Sequence, residues 1–140
     1  MATRHISSRL DSEVFKRLER QSKRAGRTRA ELINTYLDEG LRMEDHPGIV
    51  FRSGPAGRRP ALADGPDVWE VVRVVRNTEA SGDDAIREVA EWLGLRGDPV
   101  EAAVRYYADY PDEVDGWIAR VDEEAEREQG AWERRQRALA

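Results

Sequence analysis

Arg4-His5-Ile6-Ser7-Ser8-Arg9-Leu10 runs directly into Asp11-Ser12-Glu13 and two helix-length segments joined by Ala25-Gly26-Arg27-Thr28. Its reading decides the fold. Side chains alternate across an extended chain, so Ile6, Ser8 and Leu10 share one face and His5, Ser7 and Arg9 the other. A single short strand leaves its backbone polar groups unmatched, and two helices are too few to enclose a core. The arrangement is complete if the strand pairs with its copy on a second chain.

The two following helices announce their own ends. Asp11 is a natural N-cap for a helix over about residues 12–24, with Glu13 favourably placed in the first turn. Val14 and Leu18 form its apolar stripe, with Phe15 beside it, while Lys16, Arg17, Glu19, Arg20 and Lys23 occupy the opposite face. Gly26 is a C-terminal stop. Thr28 and Glu31 have the spacing of a capping box and open a second helix to about Leu41. In that helix Leu32, Ile33, Tyr36, Leu37 and Leu41 recur at helical intervals.

Charge divides the chain at the same place. The net charge is -5. Residues 1–42 hold ten Lys and Arg against six Asp and Glu, a net of +4, and residues 43–140 hold 13 against 22, a net of -9. A basic head suits a polyanion, and an acidic body does not share that preference. There is no cysteine and only His5 and His46, which excludes a disulfide framework, a thiol nucleophile and thiolate metal ligation, and argues against a histidine-rich metal centre. No cofactor is expected. No apolar run approaches the roughly 18 residues of a membrane span, and the start Met1-Ala2-Thr3-Arg4-His5 lacks a signal-peptide core, so the expected compartment is the cytoplasm, with no membrane partner.

Beyond the head, residues 43–66 are rich in Gly and Pro and read as a linker or short β-hairpin, with Ile49-Val50-Phe51 and Ala61-Leu62 as strands around a Ser53-Gly54-Pro55-Ala56-Gly57 turn. Residues 67–125 read as a small helical module. Val68, Trp69, Val71, Val72 and Val75 mark its first segment, whose β-branched content leaves strand open as well as helix. Ser81 or Asp83 caps the next, with Ile86, Val89, Ala90 and Leu93 as its stripe. Asp98 and Pro99 take the N-cap and first position of the third. Pro111 opens a fourth through Val114, Trp117, Ile118, Val121 and Ala125. Residues 126–140 form a polar helical tail, solvated or frayed when free. Trp69, Trp92, Tyr106, Tyr107 and Trp117 are expected to build the core. The fold class is therefore mainly α: a dimeric strand-helix-helix head, a hairpin or loop, and a small helical bundle.

The stretch 4–42 resembles a ribbon-helix-helix domain of the CopG/Arc/MetJ-like kind. The resemblance rests on the strand Arg4–Leu10, the Asp11-Ser12-Glu13 cap, Leu18, the turn Ala25-Gly26-Arg27-Thr28-Arg29 and Ala30-Glu31-Leu32-Ile33. It departs from the family pattern at Ser8, where Val or Ile is usual. The resemblance implies a homodimer through the N-terminal strand, higher-order assembly on DNA being possible. It also implies a two-stranded ribbon that enters the major groove, where base pairs are distinguishable. His5, Ser7 and Arg9 would then contact bases, while Arg4, Arg27, Thr28 and Arg29 would contact phosphates, the last two at the N-terminus of the second helix.

Residues from about 46 to 125 resemble the trihelical domain of unknown function 433 family. The carriers are His46-Pro47-Gly48-Ile49, Gly57-Arg58-Arg59, Asp67-Val68-Trp69-Glu70-Val71-Val72, the segments 86–93 and 100–107, and Tyr110-Pro111-Asp112-Glu113-Val114. That resemblance implies an antitoxin partnered with a PIN-like ribonuclease toxin. Trp132, alone on a polar tail, and Trp117 are the expected toxin contacts, since Trp is favoured at interface hot spots.

No catalytic constellation is expected. The pairs Asp83-Asp84 and Glu123-Glu124 lie on polar faces, and Gly54-Pro55-Ala56-Gly57-Arg58-Arg59 lacks the Lys-Ser/Thr ending of a phosphate loop. The expected function is a type II antitoxin that binds operator DNA, represses its own operon and neutralises a cognate toxin through its acidic half. The alternative is a stand-alone ribbon-helix-helix repressor whose C-terminal module senses a ligand or another partner.

Overall fold

The computed structural model describes residues 2–140; Met1 lies outside them. The chain is mainly helical, with one two-stranded antiparallel sheet, in the order helix, helix, hairpin, four helices. It separates into two compact units, one reaching to Arg42 and the other Met43–Ala140.

In the first unit, α1 (Ser12–Ala25) begins where the Asp11 carboxylate accepts the Glu13 N–H at 2.9 Å. It stops at Gly26, whose left-handed φ of 63° carries no Cβ penalty. α2 (Arg29–Asp45) starts after Thr28, whose Oγ1 accepts the Glu31 N–H at 3.1 Å. Only half of the expected capping box forms, because the Glu31 carboxylate turns to the Arg27 guanidinium instead. α2 also outruns the expected end at Leu41 by a turn. The strand expected over residues 4–10 is a correction: residues 2–11 belong to no helix or strand. A strand exists only through a neighbour's N–H and C=O groups, and among the described residues no strand pairs with this segment.

The second unit opens with the hairpin β1 (Ile49–Gly54) and β2 (Gly57–Leu62), in register from Ile49 opposite Leu62 to Gly54 opposite Gly57. The turn needs Gly57, which has a φ of 115°. Pro60 costs little in a sheet with only two strands, since each strand has an unpaired edge. The Arg52 guanidinium holds the exit of β2, donating to the carbonyls of Leu62, Ala63 and Gly65 at 2.8–3.1 Å.

Four helices follow: α3 (Val68–Asn77), α4 (Gly82–Leu93), α5 (Gly97–Asp109) and α6 (Pro111–Leu139). The segment left open between strand and helix is helical. Its start is fixed by Glu70, whose carboxylate accepts the Asp67 N–H at 2.8 Å, while Asp67 itself receives the Arg59 and Trp69 side-chain N–H groups. α5 begins before the expected cap: Arg96 is its N-cap, and Asp98 and Pro99 already lie inside the first turn. α3 is central and packs on α4, α5, α6 and β2. Val68, Val71 and Val72 of α3 meet Val89 of α4, Val100, Ala103 and Tyr106 of α5, Val114 and Ile118 of α6, and Ile49 and Leu62 of the hairpin. Each fully buried Val contributes about 1.5–3 kcal/mol of transfer free energy, so the cluster accounts for a closed core.

His46 joins this core sideways. Its ring is buried against the edges of Tyr106 and Tyr110, and its Nε2 lies 2.9 Å from the Asp109 carboxylate. The tail beyond residue 125 continues α6 without a break to Leu139, its side chains mostly exposed.

Candidate DNA and partner interfaces

The first unit lacks a closed core. α1 buries no residue, and α2 buries only Leu32 and Glu39. Ile6, Leu10, Val14, Phe15, Ile33, Tyr36, Leu37 and Leu41 all remain exposed, Ile6 to 84% and Leu37 to 57%. Six of these eight, Ile6, Leu10, Val14, Ile33, Tyr36 and Leu37, line one groove together with Ser8, Leu18 and the polar Arg17 and Gln21. From residue 5 onward the alternation read along this stretch matches the groove: Ile6, Ser8 and Leu10 line it, and His5, Ser7 and Arg9 do not. The groove is mostly apolar, a kind of exposed surface that is uncommon on a unit this small.

The residues expected to meet bases are all exposed: His5, Ser7 and Arg9, with Arg4 beside them. Of the residues expected to meet phosphates, Arg27, Thr28 and Arg29 are already engaged within the unit. Arg27 Nε lies 3.3 Å from Glu31 Oε2, and its Nη2 donates to Thr35 Oγ1 at 3.1 Å. Arg29 lies 3.6 Å from the Glu19 carboxylate and stacks over the Phe15 ring at 5.2 Å. Both pairs are solvent-exposed, and exposed pairs of this kind are worth only about 0–1 kcal/mol. Exchanging a carboxylate for a phosphate is therefore inexpensive. At the head of α2 the Glu31 N–H is taken by Thr28, which leaves the Arg29 and Ala30 amides as the first-turn donors without an intrahelical acceptor.

In the second unit the two tryptophans expected to meet a partner part company. Trp132 is 58% exposed on α6. Trp117, expected in the core as well as at a partner, is 8% exposed and lies beneath Arg120, whose guanidinium carbon sits 4.0 Å from the ring centroid, so it packs within its own unit. Trp92 is a correction. Expected in the core, it is the most exposed aromatic side chain of the described residues at 78%. The stripe Ile86, Val89, Ala90 and Leu93 held the signal: on a helix, Trp92 falls outside that arc.

The surface acids are distributed, and several are paired. Arg73 meets Asp122, Arg76 meets Asp115 and the Tyr107 hydroxyl, and Arg87 meets Asp84 at 2.9 Å. Among the described residues no group of three or more His, Asp or Glu side chains is arranged to hold a metal ion, and no helix is long and apolar enough to cross a membrane. Compared with protein-family models, curated proteins and solved structures, the chain shows no match.

Proposed function

We propose that this chain is a type II antitoxin: a ribbon-helix-helix dimer that grips operator DNA through its first unit and occupies a cognate toxin, a PIN-like ribonuclease, through its acidic second unit. The observation that carries the reading is the open groove lined by Ile6, Ser8, Leu10, Val14, Leu18 and Tyr36 beside a helix that buries nothing. In the proposed dimer the segment 4–10 pairs antiparallel with its copy across a two-fold axis, giving an isologous interface in which each chain covers the other's groove. Pairing also supplies the N–H and C=O partners that the single chain lacks.

The same pairing turns His5, Ser7 and Arg9 outward as one ribbon of two copies. Arg9 is suited to bidentate contact with guanine, and Ser7 to either donor or acceptor edges. Arg4, Arg27 and the head of α2 set the ribbon against the backbone. The net of +4 on residues 1–42 supports the assignment of this end to DNA, and the net of -9 on the remainder supports a different, cationic partner for the other. Trp132 is the proposed anchor on the tail.

The test is a mobility-shift titration of the full chain on the promoter fragment upstream of its own reading frame. Binding should weaken steeply with salt, because each neutralised phosphate releases counterions. A flat salt dependence, or retention of full affinity by a chain lacking residues 2–10, sinks the DNA reading. The toxin reading is tested separately: the product of the adjacent reading frame should arrest growth when expressed alone and not when expressed with this chain.

A further inference from the structure

We propose that the cleft between α3 and α4 is an arginine-recognising pocket through which the second unit takes hold of a basic segment of a protein partner. Val74 and Val89 give it an apolar floor, Trp92 forms one wall, and Thr78, Glu88 and Glu91 supply polar groups. Its volume, about 580 Å³, is in the range of sites that enclose a ligand-sized group.

The spacing of α4 makes the wall. Glu88, Glu91 and Trp92 stand three and four residues apart, so the two carboxylates and the indole share one side of the helix. Trp92 is 78% exposed although an indole is among the costliest side chains to leave in water. The carboxylates lack a cation of their own. Glu88 accepts the Thr78 hydroxyl at 2.7 Å, and Glu91 has no side-chain partner among the described residues. The nearby arginines are committed elsewhere: Arg73 to Asp122, Arg76 to Asp115 and Tyr107, Arg87 to Asp84. The cleft therefore presents an uncompensated negative rim beside a bare aromatic face.

A guanidinium satisfies both features together. It stacks flat on an indole, keeps its charge at all physiological pH, and forks onto a carboxylate. An ammonium meets the charge but not the stacking geometry. The occupant is therefore an arginine on a basic protein surface, and the aliphatic stem of that arginine covers Val74 and Val89. This proposal rests on the reading of the second unit as the partner-binding half.

The full chain is titrated with acetyl-hexaarginine amide and with acetyl-hexalysine amide, and the indole N–H resonances are followed by NMR, the Trp92 signal being identified with Trp92→Phe. The Trp92 resonance should move saturably, with the arginine peptide binding more tightly than the lysine peptide. Glu88→Gln with Glu91→Gln should weaken arginine-peptide binding about tenfold or more. Glu123→Gln with Glu124→Gln, which removes the same charge from exposed positions of α6, should change it less than about twofold. Equal losses in the two double variants, equal affinity for the two peptides, or a stationary Trp92 resonance overturns the pocket. If Glu88→Gln disturbs folding, Glu91→Gln alone carries the test. A toxin that binds the full chain yet is indifferent to Trp92→Ala overturns the pocket and leaves the partner-binding reading standing.

Discussion

The two units spend their hydrophobic residues in opposite ways. The second gathers Val71, Val72, Val89, Val100, Tyr106 and Val114 into one sealed cluster, each at most 1% exposed. The first places a comparable set, Ile6, Leu10, Val14, Ile33, Tyr36 and Leu37, along an open groove. Composition does not separate them, since both contain ample aliphatic and aromatic residues. The difference is the number of elements available to close a core. Four helices and a hairpin close one; two helices and an extended arm do not. The chain thus pairs a unit closed by its own contacts with one whose apolar side chains stay open within a single chain, the surface that the proposed dimer would cover.

The most severe way to break the comparison is to damage the sealed unit. Tyr106→Ala removes a fully buried ring that also hydrogen-bonds the Glu113 carboxylate at 3.0 Å. It should cost about 3–5 kcal/mol in urea-induced unfolding of the second unit; a loss below 1 kcal/mol would show that this cluster does not carry the unit. Asp67→Ala strips Arg59 and Trp69 of their shared acceptor and should cost about 1–3 kcal/mol in the same measurement. An unchanged midpoint would mean that solvent replaces the carboxylate at no penalty.

Changes in the first unit should act on association rather than on the sealed core. Arg9→Ala should lower discrimination between the promoter fragment and unrelated duplex by about 1–3 kcal/mol, with the unfolding midpoint of the second unit unaltered. Equal loss on both duplexes would reassign Arg9 to a phosphate. Leu37→Asp should shift the stability of the second unit by less than about 0.5 kcal/mol, as expected for an exposed site. In sedimentation, the same variant should fail to self-associate at concentrations where the parent chain does. A variant that still pairs would remove the groove from the interface.

How much of this was legible depended on how local the chemistry is. The Asp11 cap, the Gly26 stop and the Pro111 start depend on a few neighbouring residues and stand where the sequence places them, while the hairpin expected around Ser53–Gly57 forms with longer strands, Ile49–Gly54 and Gly57–Leu62. Boundaries governed by tertiary packing moved: α2 continues to Asp45, and α5 begins ahead of Asp98. The burial of His46 was invisible, because its partners, Tyr106, Asp109 and Tyr110, lie far along the chain. Trp92 was misread through a preference for aromatic cores, although its phase relative to Val89 and Ala90 already turned it outward. Of the candidate site residues, His5, Ser7 and Arg9 are exposed, like every residue from 2 to 10, and Trp117, read both as a core aromatic and as a contact, is buried. Residues 4–10, read as a strand, lie outside any helix or strand, because a strand needs a partner's backbone and periodicity alone does not supply one.

An α1 helix that buries no residue of its own has a consequence for how long the chain survives. In the proposed dimer the first unit would draw its stability from mass action, so each tenfold dilution would remove about 1.4 kcal/mol from the associated form. At low abundance its backbone would be open to proteolysis while the sealed unit would not. Abundance itself would then act as the regulator: scarcity would speed the removal of the head, and plenty would protect it.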